Sequence, residues 1–421
     1  NAFMRCNSLV EILIPESVTS IGESAFFGCH SLVEILIPES VTSIGDNAFN
    51  DCKSLIKITI PHSVTSLGNF VFCECRKLEQ ITILSTSITK IGHGFCDSCN
   101  SLKQILIPSS VTEIGSSSFY NCYSLEQVTL PDSLISIESR SFLLCSKLEK
   151  INIPSSLISI GEYAFDWCSL KELTIPPSVT SIDNSAFIAC KFLEKVTILG
   201  RITEIKEYVF SKCTSLKQIL IPSSVTKIGK CAFSKCESLM QIEIPPSVTT
   251  ICKEAFAECS SLKNIVIPPS VTWIGEGAFS KCKSLIKALI PTSLNSFKDS
   301  LFEECSSLKN IVIPSSITFI GSCAFAHCSS LKNISIPPSV TFIGSSAFHE
   351  CKSLTQISIP SITSSIAPYT FYLCTSLAQI TIASTADLID EYAFNVCSSL
   401  TQITIPSSVT SIGNYAFCEC C

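Results

Sequence analysis

The chain is 421 residues long, 46% hydrophobic and only 15% charged, with a formal net charge of −6. That mixture excludes a disordered chain, and the scattered Lys and Arg leave no basic stripe, so no nucleic-acid partner is expected. Pro and Ser break every apolar run well short of the roughly 18 residues a membrane-crossing helix needs, so no membrane insertion is expected in this segment.

The opening residues, NAFMRCNSL, contain no basic or apolar leader and enter in the middle of a phrase that the rest of the chain repeats. The last residues, NYAFCECC, stop in the middle of it. The chain therefore reads as a piece of a longer protein. Its composition never shifts, so residues 1–421 are expected to form a single repeat domain of about eighteen turns with partial repeats at both ends.

A cysteine usually placed three residues after Phe sets the register, running Cys6, Cys29, Cys52, Cys75, Cys99, Cys122 and onward to Cys420. All but two of the turns are 23 residues long. Cys75 to Cys99 gains one residue in the LSTSITKIG loop, and Cys168 to Cys190 loses one where CSL replaces C-x-S-L. Register recovers at once after both, as it does when each turn touches only its neighbours.

Within a turn the elements follow one order. After Leu102, the run Gln104-Ile105-Leu106-Ile107 alternates with period two and predicts a parallel strand, which Pro108 stops because it has no N–H for the ladder. Val111-Thr112-Glu113-Ile114 alternates again and predicts a short second strand on the opposite wall. Gly115, like Gly229 and Gly344, is expected to take a left-handed turn. The A-F-x-x-C segment that follows is too short for a free helix and predicts one helical or 3₁₀ turn. A lone turn buries too little apolar surface to offset the ordering of its backbone, so the turns must share a core by stacking. The fold class expected is a mainly β solenoid.

The run Leu102-Lys103-Gln104-Ile105-Leu106-Ile107 resembles the leucine-rich-repeat core L-x-x-L-x-L. The full phrase I-P-x-S-V-T-x-I-G-x-x-A-F-x-x-C resembles the BspA-like, or treponemal-type, leucine-rich repeats over the whole chain. Ser17, Ser40, Ser110 and Ser224 stand where commoner leucine-rich repeats have Asn, and a serine ladder is expected to bond the loop backbone instead. The resemblance implies a non-enzymatic protein, surface-exposed or secreted, with adhesion and host-protein binding as its roles.

Of the 26 cysteines, seven lie off the register: Cys73, Cys96, Cys231, Cys252, Cys323, Cys418 and Cys421. Stacked cysteines would have Cα atoms about 4.8 Å apart, inside the disulfide window, but parallel Cβ atoms at that spacing sit farther apart than the usual ~3.8 Å. Buried free thiols in small apolar slots are therefore expected. The clusters Cys73/Cys75 and Cys418/Cys420/Cys421 lack a second ligand pair or a nearby His, so no metal is expected, and Cys96 takes a Phe position and should be buried. The five histidines, His30, His62, His93, His327 and His349, occupy five different phases and are expected to stay apart as solvent-facing loop residues. No phosphate-cradling glycine run or nucleophile–base pair is visible, so neither a cofactor nor catalysis is expected. The one sequon, Asn333-Ile334-Ser335, falls on a predicted strand.

The outward side of the first strand is the candidate binding surface. Its two columns include Gln104 and Leu106, Gln127 and Thr129, Lys150, Lys195 and Thr197, Gln218 and Leu220, and Gln241. They continue through Asn264 and Val266, Lys287 and Leu289, and Asn310 and Val312. Two readings apply. The face reads as a long, weakly charged surface for protein or another macromolecule, or as amide and Thr ladders that bond along the stack. Without aromatic anchors on it, affinity is expected to be multivalent. The function expected is a cell-surface recognition module; an intracellular interaction scaffold is the alternative, which unpaired thiols would suit.

Overall fold

The computed structural model describes residues 1–420. Two compact units are present: Asn1–Ile202 with Lys212–Thr214, and Thr203–Ser211 with the residues from Ser215 onward. Each is a β-solenoid of stacked turns, the leucine-rich-repeat fold. In the first unit the strands Lys57–Ile60, Gln80–Ile83, Gln104–Leu106 and Gln127–Thr129 pair in parallel, with Gln80 opposite Lys57 and Gln127 opposite Gln104. The opposite wall carries the predicted second strands, two residues each, such as Lys90–Ile91, Glu113–Ile114 and Ser136–Ile137. Between the walls, Leu102, Ile105, Ile107, Val111, Ile114, Phe119 and Cys122 are all buried, so the period-two alternation read from the sequence is the one that sorts core from solvent.

The first strand is not laddered in every turn. Residues 150–153 and 241–244 lie outside any strand, and Asn310 and Asn333 meet only in an isolated bridge. The expected serine ladder is present: Ser40 Oγ donates to the Val18 carbonyl at 2.7 Å, and Ser110 Oγ to that of Ile88 at 2.6 Å.

The third wall differs from expectation, because among the described residues no helical turn forms in A-F-x-x-C. In the turn that ends at Cys145, Leu143 and Cys145 donate three residues back within the turn, at 3.3 and 3.2 Å. Arg140, Phe142 and Leu144 donate instead to Glu162, Ala164 and Asp166 of the next turn, at 2.8–2.9 Å. A helix would spend every N–H inside its own turn. Here alternate N–H groups leave for the neighbour, which requires two left-handed residues four places apart in the turn, as at Arg140 (φ 59°) and Leu144 (φ 64°). Such residues cost about 1–2 kcal/mol each when they carry a Cβ, and the inter-turn bonds offset that.

The glycines were expected at those left-handed positions, and the structure places them elsewhere. Gly115, Gly229 and Gly344 are not among the residues at positive φ. Each lies against the preceding turn: a Cβ on Gly229 would sit 2.7 Å from the Ile205 carbonyl oxygen, and one on Gly344 would sit 2.5 Å from the Ser322 nitrogen. Close backbone approach, rather than backbone handedness, is their physical reason.

Phe rings form a column through each unit. In the second unit Phe210, Phe233, Phe256, Phe279 and Phe302 stack at 5.4–5.7 Å with planes within 11°. In the first unit the column turns edge-on at Phe95, which lies at 83° to Phe72 and 77° to Phe119. There Cys96 occupies the Phe slot, buried as expected, and Phe95 reaches in from the preceding Ala position.

Candidate protein-binding face

The columns predicted from the sequence lie together on the outer side of the first strands. Gln104, Leu106, Gln127, Thr129, Lys150, Lys195, Gln218, Leu220, Gln241, Asn264, Val266, Lys287, Leu289, Asn310 and Val312 are exposed, and Thr197 is half-buried. Leu13 and Val312 are 82% and 81% exposed and Leu106 is 66% exposed, so the inner apolar column of this face is uncovered. Among the described residues no hydrogen bond joins the amide of one turn to the amide of the next. The one amide bond on the face is internal to a turn, from Gln80 Nε2 to Thr82 Oγ1 at 3.4 Å. The amides are therefore available to a partner instead of being spent along the stack.

The face is hollowed where its ladder opens. A hollow of about 750 Å³ is lined by Glu11, Leu13, Glu34, Leu36, Lys57 and Thr59, with Lys57 Nζ 3.3 Å from Glu34. Two more, of about 640 and 660 Å³, lie on either side of the unladdered segment at Lys150 and Asn152, bounded by Gln127 and Thr129 on one side and by Glu172 and Thr174 on the other. Backbone without a ladder partner keeps its N–H and C=O groups open to solvent or to a ligand.

Cysteine proves to be more than a filler of space. Every described cysteine is a free thiol. Those in the register after Cys6 donate S–H to a carbonyl of the preceding turn, as Cys52 does to Phe26 at 3.2 Å and Cys259 to Phe233 at 3.2 Å. Burial pushes the Cys259 and Cys282 thiols up, the latter to about 12, so they are poor nucleophiles and poor metal ligands. Among the described residues no three metal-ligating side chains gather, and the Cys418/Cys421 spacing ends on a residue outside those described.

The histidines do not all stay apart. The turn edge is staggered, so the N–H of His327 meets the carbonyl of His349 at 2.7 Å, and their rings lie 4.9 Å apart. Residues one phase apart thus become neighbours, which a column-by-column reading misses. Glu350 lies 3.5 Å from His327 Nδ1, 3.6 Å from His349 Nε2 and 3.0 Å from Lys352 Nζ. Burial and the His327 charge both hold His349 below its ordinary pKa. Near the other end His30 bonds Asp51 at 2.7 Å. The aromatics missed by the strand-face reading sit on this same edge, where Tyr369 and Tyr392, both half-buried, and the exposed Tyr415 stack at 4.9 and 5.1 Å. Their period of 23 residues, two places after the Gly position, is the signal that could have located them.

The stacked turns and serine ladder define a leucine-rich-repeat scaffold, a fold that in general binds proteins and does no chemistry. More narrowly, the family described as BspA type leucine rich repeat region matches residues 1–126, 112–240, 227–329 and 299–421, and the chain belongs to it. A leucine-rich repeat protein from Bacteroides ovatus ATCC 8483 is 30% identical, over 87% of this chain and 85% of that one, with a TM-score of 0.64. A leucine rich cell surface protein from Faecalibacterium prausnitzii A2-165 is 29% identical over 88% and 87%, with a TM-score of 0.41. A leucine-rich repeat protein from Eubacterium ventriosum ATCC 27560 is 24% identical over 82% and 83%, with a TM-score of 0.41. No curated protein matches the chain. Among the described residues no helix is long and apolar enough to cross a membrane.

Proposed function

We propose that residues 1–421 act as a non-catalytic recognition module at the cell surface, binding host or matrix proteins through the outer side of the first strands. The observation that carries this reading is the uncovered apolar column: Leu106, Leu220, Val266 and Val312 are all more than half exposed, beside amides that make no bonds to one another. Apolar side chains on an uncovered face gain by being covered, at about 25 cal/mol per Å², while the neighbouring amides supply direction. With no aromatic anchor on this face, many weak contacts along successive turns give the affinity. Net charge of −6 with scattered Lys and Arg disfavours nucleic acid as the partner.

The test is retention of protein-coated beads on an extracellular-matrix film. Replacing Leu106, Leu220, Val266 and Val312 with Lys is expected to abolish retention while leaving circular dichroism unchanged. Retention that survives the four changes refutes the strand face as the site; absence of retention for the unaltered chain refutes the matrix-adhesion reading. A second reading, an intracellular interaction scaffold, is favoured by the unpaired thiols, which reducing compartments preserve. Localisation of the full-length protein by immunogold labelling separates the two.

A further inference from the structure

On the strand face of the second unit, every charged side chain between Ser260 and Ser335 is a lysine: Lys263, Lys287, Lys309 and Lys332, with Lys283 at the rim. All five are exposed, and none forms an ion pair. The acids of the same turns lie elsewhere: Glu276, Asp299 and Glu303 line a hollow on the turn edge, and Glu304 lies 3.8 Å from Lys281. At the corresponding positions of the first unit, Lys57 is offset by Glu34 at 3.3 Å and Lys171 by Glu149 at 2.6 Å. In the second unit like charges meet instead. The Lys332 N–H donates to the Lys309 carbonyl at 3.2 Å, so two lysines stand on successive turns of one column, which costs stability unless something negative covers them. Beside this row runs the uncovered apolar column of Val266, Leu289 and Val312, with Val266 opposite Leu289 in the ladder. The exposed amides of Asn264 and Asn310 lie between the two rows in their turns.

We propose that this stretch of the strand face binds an acidic polypeptide segment studded with apolar side chains, its carboxylates on the lysine row and its apolar groups on Val266, Leu289 and Val312. The inference rests on the strand face being the recognition surface, and it narrows the partner. Fields between exposed charges fade over about 8–10 Å at physiological salt, so the local row, rather than the net charge of −6, governs what docks here. A sulfated glycan or a nucleic acid would satisfy the lysines but would leave the apolar row against polar groups. This stretch of the face also carries no aromatic ring on which a base could stack. Amide side chains both donate and accept, which matches the N–H and C=O groups of a peptide backbone. Each exposed ion pair contributes little alone, so the row acts by number.

The test is the fluorescence anisotropy of a short fluorescein-labelled peptide alternating Glu and Val, titrated with the full chain. Saturable binding is expected, weakening as sodium chloride is raised. Lys263→Gln, Lys287→Gln, Lys309→Gln and Lys332→Gln together are expected to weaken it roughly tenfold or more, while Lys→Arg changes at the same positions should keep it. Lys230→Gln, Lys235→Gln, Lys253→Gln and Lys281→Gln, on the turn edge, remove as much charge and should leave binding unchanged. A peptide alternating Glu and Ser should bind more weakly, since only its charges are met. No saturable binding, equal loss in the turn-edge variant, or equal affinity of the Glu-Ser peptide overturns the proposal. Tighter binding of a heparin oligosaccharide or of oligothymidylate than of the Glu-Val peptide overturns it as well, and assigns the row to another polyanion. If the strand-face Gln variant fails to fold by circular dichroism, acetic anhydride labelling read by mass spectrometry decides: the peptide must shield the four lysines of the unaltered chain, and unchanged labelling refutes the site. The strand face itself is judged separately, on the matrix film. Retention lost on replacing Leu106, Leu220, Val266 and Val312, with peptide binding indifferent to the four Gln changes, sinks this inference alone.

Discussion

Removing one ring from the Phe column tests whether these turns are held by their neighbours alone. Phe256 is fully buried, its ring 5.4 Å from that of Phe233 and 5.5 Å from that of Phe279, with planes within 6°. Phe256→Ala forfeits both ring contacts, worth about 0.5–1.5 kcal/mol each beyond the area they bury. With the lost burial and the cavity left behind, the whole cost is about 3–5 kcal/mol. In a stack where each turn touches only the next, that loss stays local. Native-state hydrogen exchange reads it directly. The amides of Phe233, Phe256 and Phe279, which donate to Ala255, Ala278 and Leu301, should lose roughly 10²- to 10³-fold in protection, at ~1.4 kcal/mol per tenfold. The amides of Phe348 and Phe371, four and five turns away and bonded to Thr370 and Ala393, should exchange as before. Phe256→Leu, which keeps most of the volume, should show the same pattern at smaller amplitude. A uniform loss of protection across the second unit, or none at Phe256 itself, would refute nearest-neighbour stacking.

Two further outcomes follow from the same geometry. Gly229→Ala places a Cβ 2.7 Å from the Ile205 oxygen and should cost about 1–3 kcal/mol of stability through overpacking, read as a lower urea midpoint; Gly229→Asn should be worse still. If Asn proved milder than Ala, a left-handed backbone would be the reason for the glycine after all, because Asn tolerates that conformation. Thiol titration without reductant should find few reactive groups in the native protein, Cys6 foremost because it is exposed, and close to all 26 once guanidinium unfolds the chain. Recovery of only a handful after unfolding would establish disulfides and remove the register thiols as hydrogen-bond donors.

The repeat itself determined most of this architecture. Leu102, Ile105 and Ile107 declare by their spacing which side of the strand is buried, and the 23-residue return of Cys declares which residues stack. The strand-face columns were legible for the same reason, since a period of two within a turn and a constant length between turns fix every outward position. Only the tertiary structure decided what happens between turns. The left-handed conformations of Arg140 and Leu144 follow from sending alternate N–H groups to the next turn, and no local preference of Arg or Leu predicts that. The meeting of His327 with His349 depends on the stagger of the turn edge, and the glycine positions depend on how closely one backbone approaches another. Periodicity records which residues share a column; the distances and bonds across columns belong to the folded stack, because they arise from contacts between residues 21 or more apart in the chain.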